Sequence, residues 1–184
     1  MTIMTEQHTM PDSAETIDQG AMAGAVDNEE QEVARKVAII CSKGSLDMAY
    51  PGLIMANAAR MMGMDAMIFF TFWGLDVVTK SKVEHLHAEM LGNPSSPMPH
   101  AVMGLPGMEA LATMMMKKKM ENLDIPDIPE LLEILDEAGA EMYSCQLAME
   151  MFDVAQDDLV PQVKESLTAM DFWEKAEGAQ VVFI

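Results

Sequence analysis

Residues 36–70 read KVAIICSKGSLDMAYPGLIMANAARMMGMDAMIFF, and their pattern is the most informative about the fold. The first six residues of this stretch are an apolar run with β-branched side chains, which is typical of a buried strand. Ser45 or Asp47 then caps a helix that ends near Gly63. Residues 65–70 are a second buried apolar run. A strand, a helix and a strand in such a short stretch predict a βαβ unit, which is parallel and right-handed.

The rest of the chain continues this alternation of helices and strands. The patterns predict helices over residues 129–138, 146–152 and 161–173, and strands over residues 140–144 and 179–184. Together with the first unit they predict an α/β fold, in which a mainly parallel sheet of about five strands lies between helices on both faces. Such a fold is a three-layer sandwich.

Composition divides the chain into a tail and one domain. Residues 1–34 are polar and acidic without an apolar period, which predicts a disordered acidic tail. Residues 35–184 predict a single α/β domain. An irregular insertion at about 84–127 interrupts it, because residues 92–99 hold three prolines. Helical composition resumes within the insertion from Gly107.

The charge of the chain is strongly negative. Thirty acidic and 11 basic residues give a formal net charge of −19. Because such a surface repels phosphate backbones and anionic lipid headgroups, we expect neither nucleic acid nor a membrane among the partners.

Several features of the sequence favour a cytoplasmic location. The amino terminus lacks the basic start and apolar run of a secretory signal peptide. The longest apolar stretch, residues 66–73, is far shorter than the roughly 20 residues of a membrane helix. Two cysteines are too few for the disulfide framework of a secreted domain. We therefore expect a reducing compartment in which both thiols are free.

Cys145 is the strongest candidate for a catalytic residue. It lies where a predicted buried strand ends and a helix begins, the edge of an α/β sheet at which ligands bind. Unpaired backbone N–H groups and the helix dipole favour the thiolate there, and the thiolate is the form that attacks a sulfane or disulfide sulfur. The alternative is a buried, inert cysteine that packs as a small apolar residue.

Cys41 ends the first predicted strand and is the second catalytic candidate. If the two strands are neighbours, its thiol lies at the same sheet edge as Cys145 and could resolve a disulfide or receive a transferred sulfur. The alternative is a cysteine without a chemical role. Lys43, two residues further on, could stabilise an anionic sulfur species or be a solvated loop lysine.

The other metal-binding side-chain types do not form a recognisable site. His85, His87 and His100 have no CxxC or HExxH motif beside them, so we expect surface histidines and no metal. The chain holds 22 methionines, which are typical of adaptable cores and interfaces, although thioethers also suit Cu(I).

Several segments resemble the larger proteins of the DsrE/DsrF-like family. Residues 41–51, CSKGSLDMAYP, are similar to the family's S-K-G-x-L-D-x-A-Y-P stretch. Residues 69–75, FFTFWGL, resemble the segment after its second strand, and residues 143–152, YSCQLAMEMF, resemble its cysteine segment. Residues 91–94 and 105–108, with the Met-Lys run that follows, resemble its insertion. The resemblance covers about residues 36–184, in the same order.

The resemblance implies a parallel α/β fold with DsrE/DsrF-like, flavodoxin-like topology, homo-oligomeric assembly and a role as a sulfur carrier or sulfurtransferase. The family's reactive cysteine matches Cys145, whereas Cys41 departs from the small or apolar residue usual at its position. Partners of such proteins are rhodanese-like and TusA-like sulfur-relay proteins.

The first functional hypothesis is therefore a sulfur carrier that binds persulfide or thiosulfate-derived sulfur on Cys145 and passes it to a protein thiol. Backbone amides at Gln146 and Leu147 would stabilise the bound anion, and Tyr143 and Lys43 would shape the pocket. This chemistry requires no metal or organic cofactor.

Two alternatives stay open. The chain could be a non-catalytic binding or regulatory module with a Met-rich surface for a partner protein or Cu(I). It could also be a peroxidase-like redox protein that uses Cys41 and Cys145 as a pair.

Overall fold

A computed structural model describes residues 35–89 and 107–184. The predicted tail and the centre of the predicted insertion, with His100, lie outside the described residues. The described elements are β1 (Lys36–Cys41), α1 (Leu46–Met61), β2 (Asp65–Phe70), α2 (Met108–Glu121), α3 (Ile128–Glu137), β3 (Glu141–Cys145), α4 (Gln146–Met151), β4 (Val163–Leu167), α5 (Ala169–Lys175) and β5 (Gln180–Phe183), with 3₁₀ turns at Phe72–Val78, Val83–His85 and Gln156–Asp158.

The five strands form one parallel sheet in the order β4-β3-β2-β1-β5. The predicted fold class, a three-layer α/β sandwich with a parallel sheet, is confirmed. The strand order itself differs from the 2-1-3-4-5 order of flavodoxin. The first four strands follow one another across the sheet, and only β5 returns to the free side of β1.

Each face of the sheet has its own core, since successive strand side chains point to opposite faces. The larger core lies under α1 and α3 and contains the buried side chains of Ile39, Phe70 and Met142. The smaller core lies under α5, where the ring of Phe69 packs 4.9 Å from that of Phe172. Unequal coverage by helices therefore distinguishes the two faces.

The predicted helix over residues 161–173 is wrong in its first half. Residues Val163–Leu167 form strand β4, which pairs with β3, and the helix begins only at Ala169. Thr168 and Asp171 cap this helix reciprocally, because the Asp171 carboxylate accepts from the Thr168 backbone N–H while the Thr168 hydroxyl oxygen accepts from the Asp171 N–H. This T-x-x-D capping box was a signal in the sequence for the true helix start.

Two glycines bring the loops after β1 and β2 into contact. A Cβ at Gly74 would lie 2.1 Å from the carbonyl oxygen of Cys41, and one at Gly44 would lie 2.3 Å from that of Trp73. Neither position leaves room for a side chain, because the opposing atoms belong to the backbone. The sequence motifs SKG and FWG thus require glycine for a steric reason. The two loops pack too closely at the carboxyl edge of the sheet to admit a side chain.

Candidate functional site

Cys145 is the last residue of β3 and the residue before α4, as predicted. Its backbone is extended, and its thiol is free and half-buried. The side chain packs at the edge of both cores. Gln146 and Leu147 follow as the first two residues of α4, and the first N–H groups of a helix have no partner within it. The site is therefore a partly accessible thiol at the carboxyl edge of the sheet.

Short-range packing fixes α4 beside this thiol. Ala148 and Met149 are buried, and the Ser144 hydroxyl lies 3.1 Å from the Met149 sulfur. Leu147 and Met151 are one helical turn apart and share the exposed side of the helix. The fold thus determines which side of α4 solvent reaches.

An aromatic pair covers the far end of α4. The ring centroids of Trp73 and Phe152 lie 4.8 Å apart. Trp73 belongs to the turn after β2, the strand next to β3, so this turn and α4 meet at the same sheet edge. Phe72 precedes it with a φ of 47°, a left-handed conformation that is unfavourable for a bulky residue. The turn therefore holds its two aromatic side chains outward at a cost in backbone strain.

Cys41 lies in a different environment. It is 1% exposed and packs against Gly52 of α1, where a Cβ would lie 2.7 Å from the Cys41 sulfur. Burial raises the pKa of this thiol to about 12. The thiolate fraction near neutral pH is therefore very small. These observations favour the alternative in which Cys41 has a packing role.

The structure does not bring Cys41 and Cys145 together. Strand β2 lies between their strands, and the pairing of Phe70 with both Cys41 and Ser144 puts the two cysteines on opposite faces of the sheet. Two strand spacings amount to about 10 Å, whereas a disulfide requires Cα atoms within about 7 Å. The peroxidase-like alternative would thus need a rearrangement of the sheet.

The other candidate residues are placed as follows. Lys43 is exposed in the loop after β1, two strands away from β3. Tyr143 is buried on the same side of β3 as Cys145, but its ring lies 4.9 Å from the Lys175 ammonium group. Burial, followed by the nearby Glu141 carboxylate, raises the pKa of its phenol. The Gln146 side chain donates to the Glu150 carboxylate. Gln146 follows Cys145 directly, Leu147 comes next, and both side chains are exposed.

Titration of Cys41 gives a testable pH dependence. The pKa of the Cys41 thiol is 9.0 ordinarily and about 12 in the folded protein. Between these two pH values the thiol is ionised in the unfolded chain but stays protonated in the folded chain. Stability therefore falls as the pH rises through this range, by up to about 1.4 kcal/mol per pH unit from this thiol. We expect the parent to lose stability more steeply than Cys41→Ala in urea unfolding between about pH 9 and pH 11. The phenols of Tyr50 and Tyr143 contribute equally to both proteins, so equal slopes would contradict the assignment.

Histidines and carboxylates form no metal centre in the part of the chain that the structure describes. His85 and His87 are exposed, as expected. Among residues 35–89 and 107–184, no three His, Cys, Asp or Glu side chains converge on a common point.

Two features near the thiol were missed by sequence reasoning. The first is the exposure of Phe72 and Trp73 in a turn where Phe72 has a positive φ, which no local sequence pattern predicts. The second is strand β4, whose Leu167 pairs with Cys145 and which lies in a stretch whose local pattern predicts a helix. The capping box at Thr168 was the sequence signal that the helix begins only after β4. The aromatic turn had no such signal beyond its FWG motif.

Fold and site together define a class: a parallel α/β protein with a partly accessible thiol where a central strand ends. The comparison with family models gives the same class a name. The chain belongs to the DsrE/DsrF/DrsH-like family, whose model matches residues 33–184.

Two relatives match most of the chain. The sulfur carrier protein DsrE2 of Allochromatium vinosum is 38% identical over 155 residues, which are 80% of this chain and 96% of that protein. The uncharacterized protein YrkE of Bacillus subtilis is 24% identical over 161 residues, 83% of this chain and 99% of its own. The similarity to a named sulfur carrier supports a sulfur-relay role for this chain.

A solved structure shares the fold. The crystal structure of the ychN protein from E. coli superposes with a TM-score of 0.50 at 15% identity, covering 82% of this chain and 99% of ychN. No helix among the described residues has the length and apolar character to cross a membrane.

Proposed function

We propose that this protein is a sulfur carrier that binds sulfane sulfur on Cys145 and passes it to a protein thiol. The observation that carries the proposal is the contrast between the two cysteines. Cys145 is a half-buried thiol at the carboxyl edge of the sheet, whereas Cys41 is buried with a raised pKa. The similarity to a sulfur carrier protein of Allochromatium vinosum supports the same chemistry.

Loading is a displacement at sulfur. The Cys145 thiolate attacks the terminal sulfur of a polysulfide or the sulfane sulfur of thiosulfate. A new S–S bond forms to Cys145 while the donor's S–S bond breaks, and a shortened polysulfide or sulfite leaves. Tetrathionate would instead give a thiosulfonate on Cys145 and release thiosulfate. Each exchange balances without an added oxidant or a metal.

The surroundings of Cys145 would support the loaded state. The backbone amides of Gln146 and Leu147 would donate to a terminal sulfur anion, since they open α4. Tyr143 would form part of the buried floor beneath it. Lys43 would act on the anion only by long-range electrostatic attraction, because it lies in the loop after β1, which β2 separates from β3.

Transfer to a partner would reverse the loading step, which makes the protein a sulfurtransferase when the cycle repeats. We propose rhodanese-like and TusA-like sulfur-relay proteins as partners, in keeping with the family, and a location in the cytoplasm, where thiols stay reduced.

Self-association is a further part of the proposal. Among residues 35–89 and 107–184, α5 is the only helix over the second face of the sheet, and the apolar side chains of Trp173, Val181 and Phe183 are 62%, 40% and 69% exposed. An apolar patch of this kind is typical of an interface. Light scattering on the purified protein is expected to give a mass above that of the 20.2 kDa chain, and a monomer would contradict it.

Intact-protein mass spectrometry tests the carrier function. The reduced protein is incubated with polysulfide, thiosulfate or tetrathionate, freed of donor and then mixed with glutathione. We expect a reducible gain of sulfur or thiosulfonate that the added thiol removes. If no adduct forms while thiol titration shows an accessible Cys145, the carrier function is wrong.

A further inference from the structure

Four exposed apolar side chains lie on the helix that begins after Cys145 and on the turn that packs against the end of that helix, and we call them the Cys145 collar. Phe72, Trp73, Leu147 and Met151 are 50%, 60%, 68% and 51% exposed. Single exposed apolar residues are common in proteins, but a group of them on two segments that meet at the sheet edge of a reactive thiol marks an interaction site. Leu147 and Met151 extend from Cys145 along α4, and the packing of Trp73 on Phe152 joins the aromatic turn to this helix.

The fold does not require the collar to be apolar. None of the four side chains is buried, so polar replacements would cost little core packing. Phe72 also occupies a strained left-handed conformation, with its side chain 50% exposed. Strain that exposes an apolar ring is better explained by binding than by stability.

The charge beside the collar indicates what binds. The segment of residues 146–158 contains four carboxylates and no basic residue. Glu150, Asp153 and Asp157 are exposed, and Asp158 caps the following turn. Lys80 donates to the carbonyl of Asp157 and offsets part of this charge. A second copy of the chain would bring the same carboxylates face to face, and an anionic lipid surface would be repelled.

We infer that the Cys145 collar is the docking surface for a partner protein whose exchanging cysteine lies among apolar and basic side chains. This inference rests on the sulfur-carrier function proposed above. The partner's apolar residues would cover the collar, and its basic residues would face the carboxylates of α4 and the turn after it.

Docking would align the exchange. The partner's thiolate attacks the terminal sulfur of the Cys145 persulfide, its new S–S bond forms, and the bond to the Cys145 sulfur breaks. Cys145 leaves as a thiolate and the partner becomes the persulfide, so sulfur moves without net oxidation. A small thiol such as glutathione can make the same attack without touching the collar.

Synthetic peptides with one cysteine test the inference. One peptide surrounds the cysteine with leucine and lysine, a second replaces the lysines by glutamates, and a third replaces the leucines by serines. Transfer from the polysulfide-loaded protein is followed by mass spectrometry. We expect the leucine–lysine peptide to react about tenfold faster than either other peptide, which corresponds to about 1.4 kcal/mol of docking energy.

Variants then locate the effect on the collar. Phe72→Asn introduces a residue that tolerates the left-handed backbone, and Met151→Gln introduces a residue that forms helices well. The double variant is expected to lose about tenfold in transfer to the leucine–lysine peptide, with loading from polysulfide and transfer to glutathione unchanged. Met61→Gln, at an 81% exposed methionine that ends α1, is the matched control and should behave as the parent.

Electrostatic variants give an independent readout. Asp153→Asn, which keeps a residue suited to the φ of 52°, combined with Asp157→Asn should remove most of the preference for lysine over glutamate peptides. Equal transfer to all three peptides, or full transfer in the Phe72→Asn/Met151→Gln protein, would overturn the docking surface while loading of Cys145 left the carrier function intact. Absence of loading in the parent would instead overturn the carrier function itself.

Discussion

Cys145→Ala is expected to abolish sulfur loading, with the adduct below about a tenth of the parent level after equal exposure to polysulfide or tetrathionate. Alanine removes the thiol at the carboxyl end of β3, and the other thiol among the described residues, Cys41, is buried. The fold should persist, because a half-buried side chain at a strand end loses little packing. Intact mass spectrometry measures the adduct, and circular dichroism verifies the fold.

Cys41→Ala is the matched variant for this experiment. At pH 8 a thiol with a pKa of about 12 is ionised to about one part in ten thousand, so Cys41 contributes almost no nucleophile in the folded protein. We therefore expect Cys41→Ala to load like the parent. Loss of the adduct in both variants would show that the cysteines act as a pair, and it would require movement of β2 from between their strands.

Gly74→Ala is expected to destabilise the protein by about 3 kcal/mol or more. The added Cβ would lie 2.1 Å from the Cys41 carbonyl oxygen and 2.8 Å from its carbonyl carbon. That carbonyl cannot easily turn away, because it accepts a hydrogen bond from the Thr71 N–H. The loop after β2 would have to move, and Trp73 would move with it. Urea unfolding, followed by circular dichroism, measures the loss.

Gly178→Ala is the control for the effect of replacing a glycine by alanine where the added Cβ meets no other atom. Gly178 has a φ of 73° with no atom within 4 Å of an added Cβ, so only backbone strain of about 1–2 kcal/mol opposes alanine there. A larger loss at Gly74 than at Gly178 would assign the difference to the contact between the two loops. Equal losses would contradict that contact.

Local patterns predicted most of the secondary structure. The apolar runs that form β1 and β2 are continuous because parallel strands in a central position are buried on both faces. The strand that ends at Cys145 was predicted from a local pattern too, and so was the helix after it. Strand β4 was missed because it is an edge strand, in which only Val163 and Leu167 are buried. Its pattern of exposed charged residues is compatible with a surface helix.

The fold class, the family and the position of Cys145 at the carboxyl end of a strand could all be predicted from the sequence. These properties depend on apolar runs, glycines and motifs that are local in the chain. Long-range packing sets the separation of Cys41 from Cys145 by β2 and the contact between Trp73 and Phe152 at the end of α4. Strand order and the approach of distant loops depend on pairing between remote segments, and packing, not local propensity, selects that pairing.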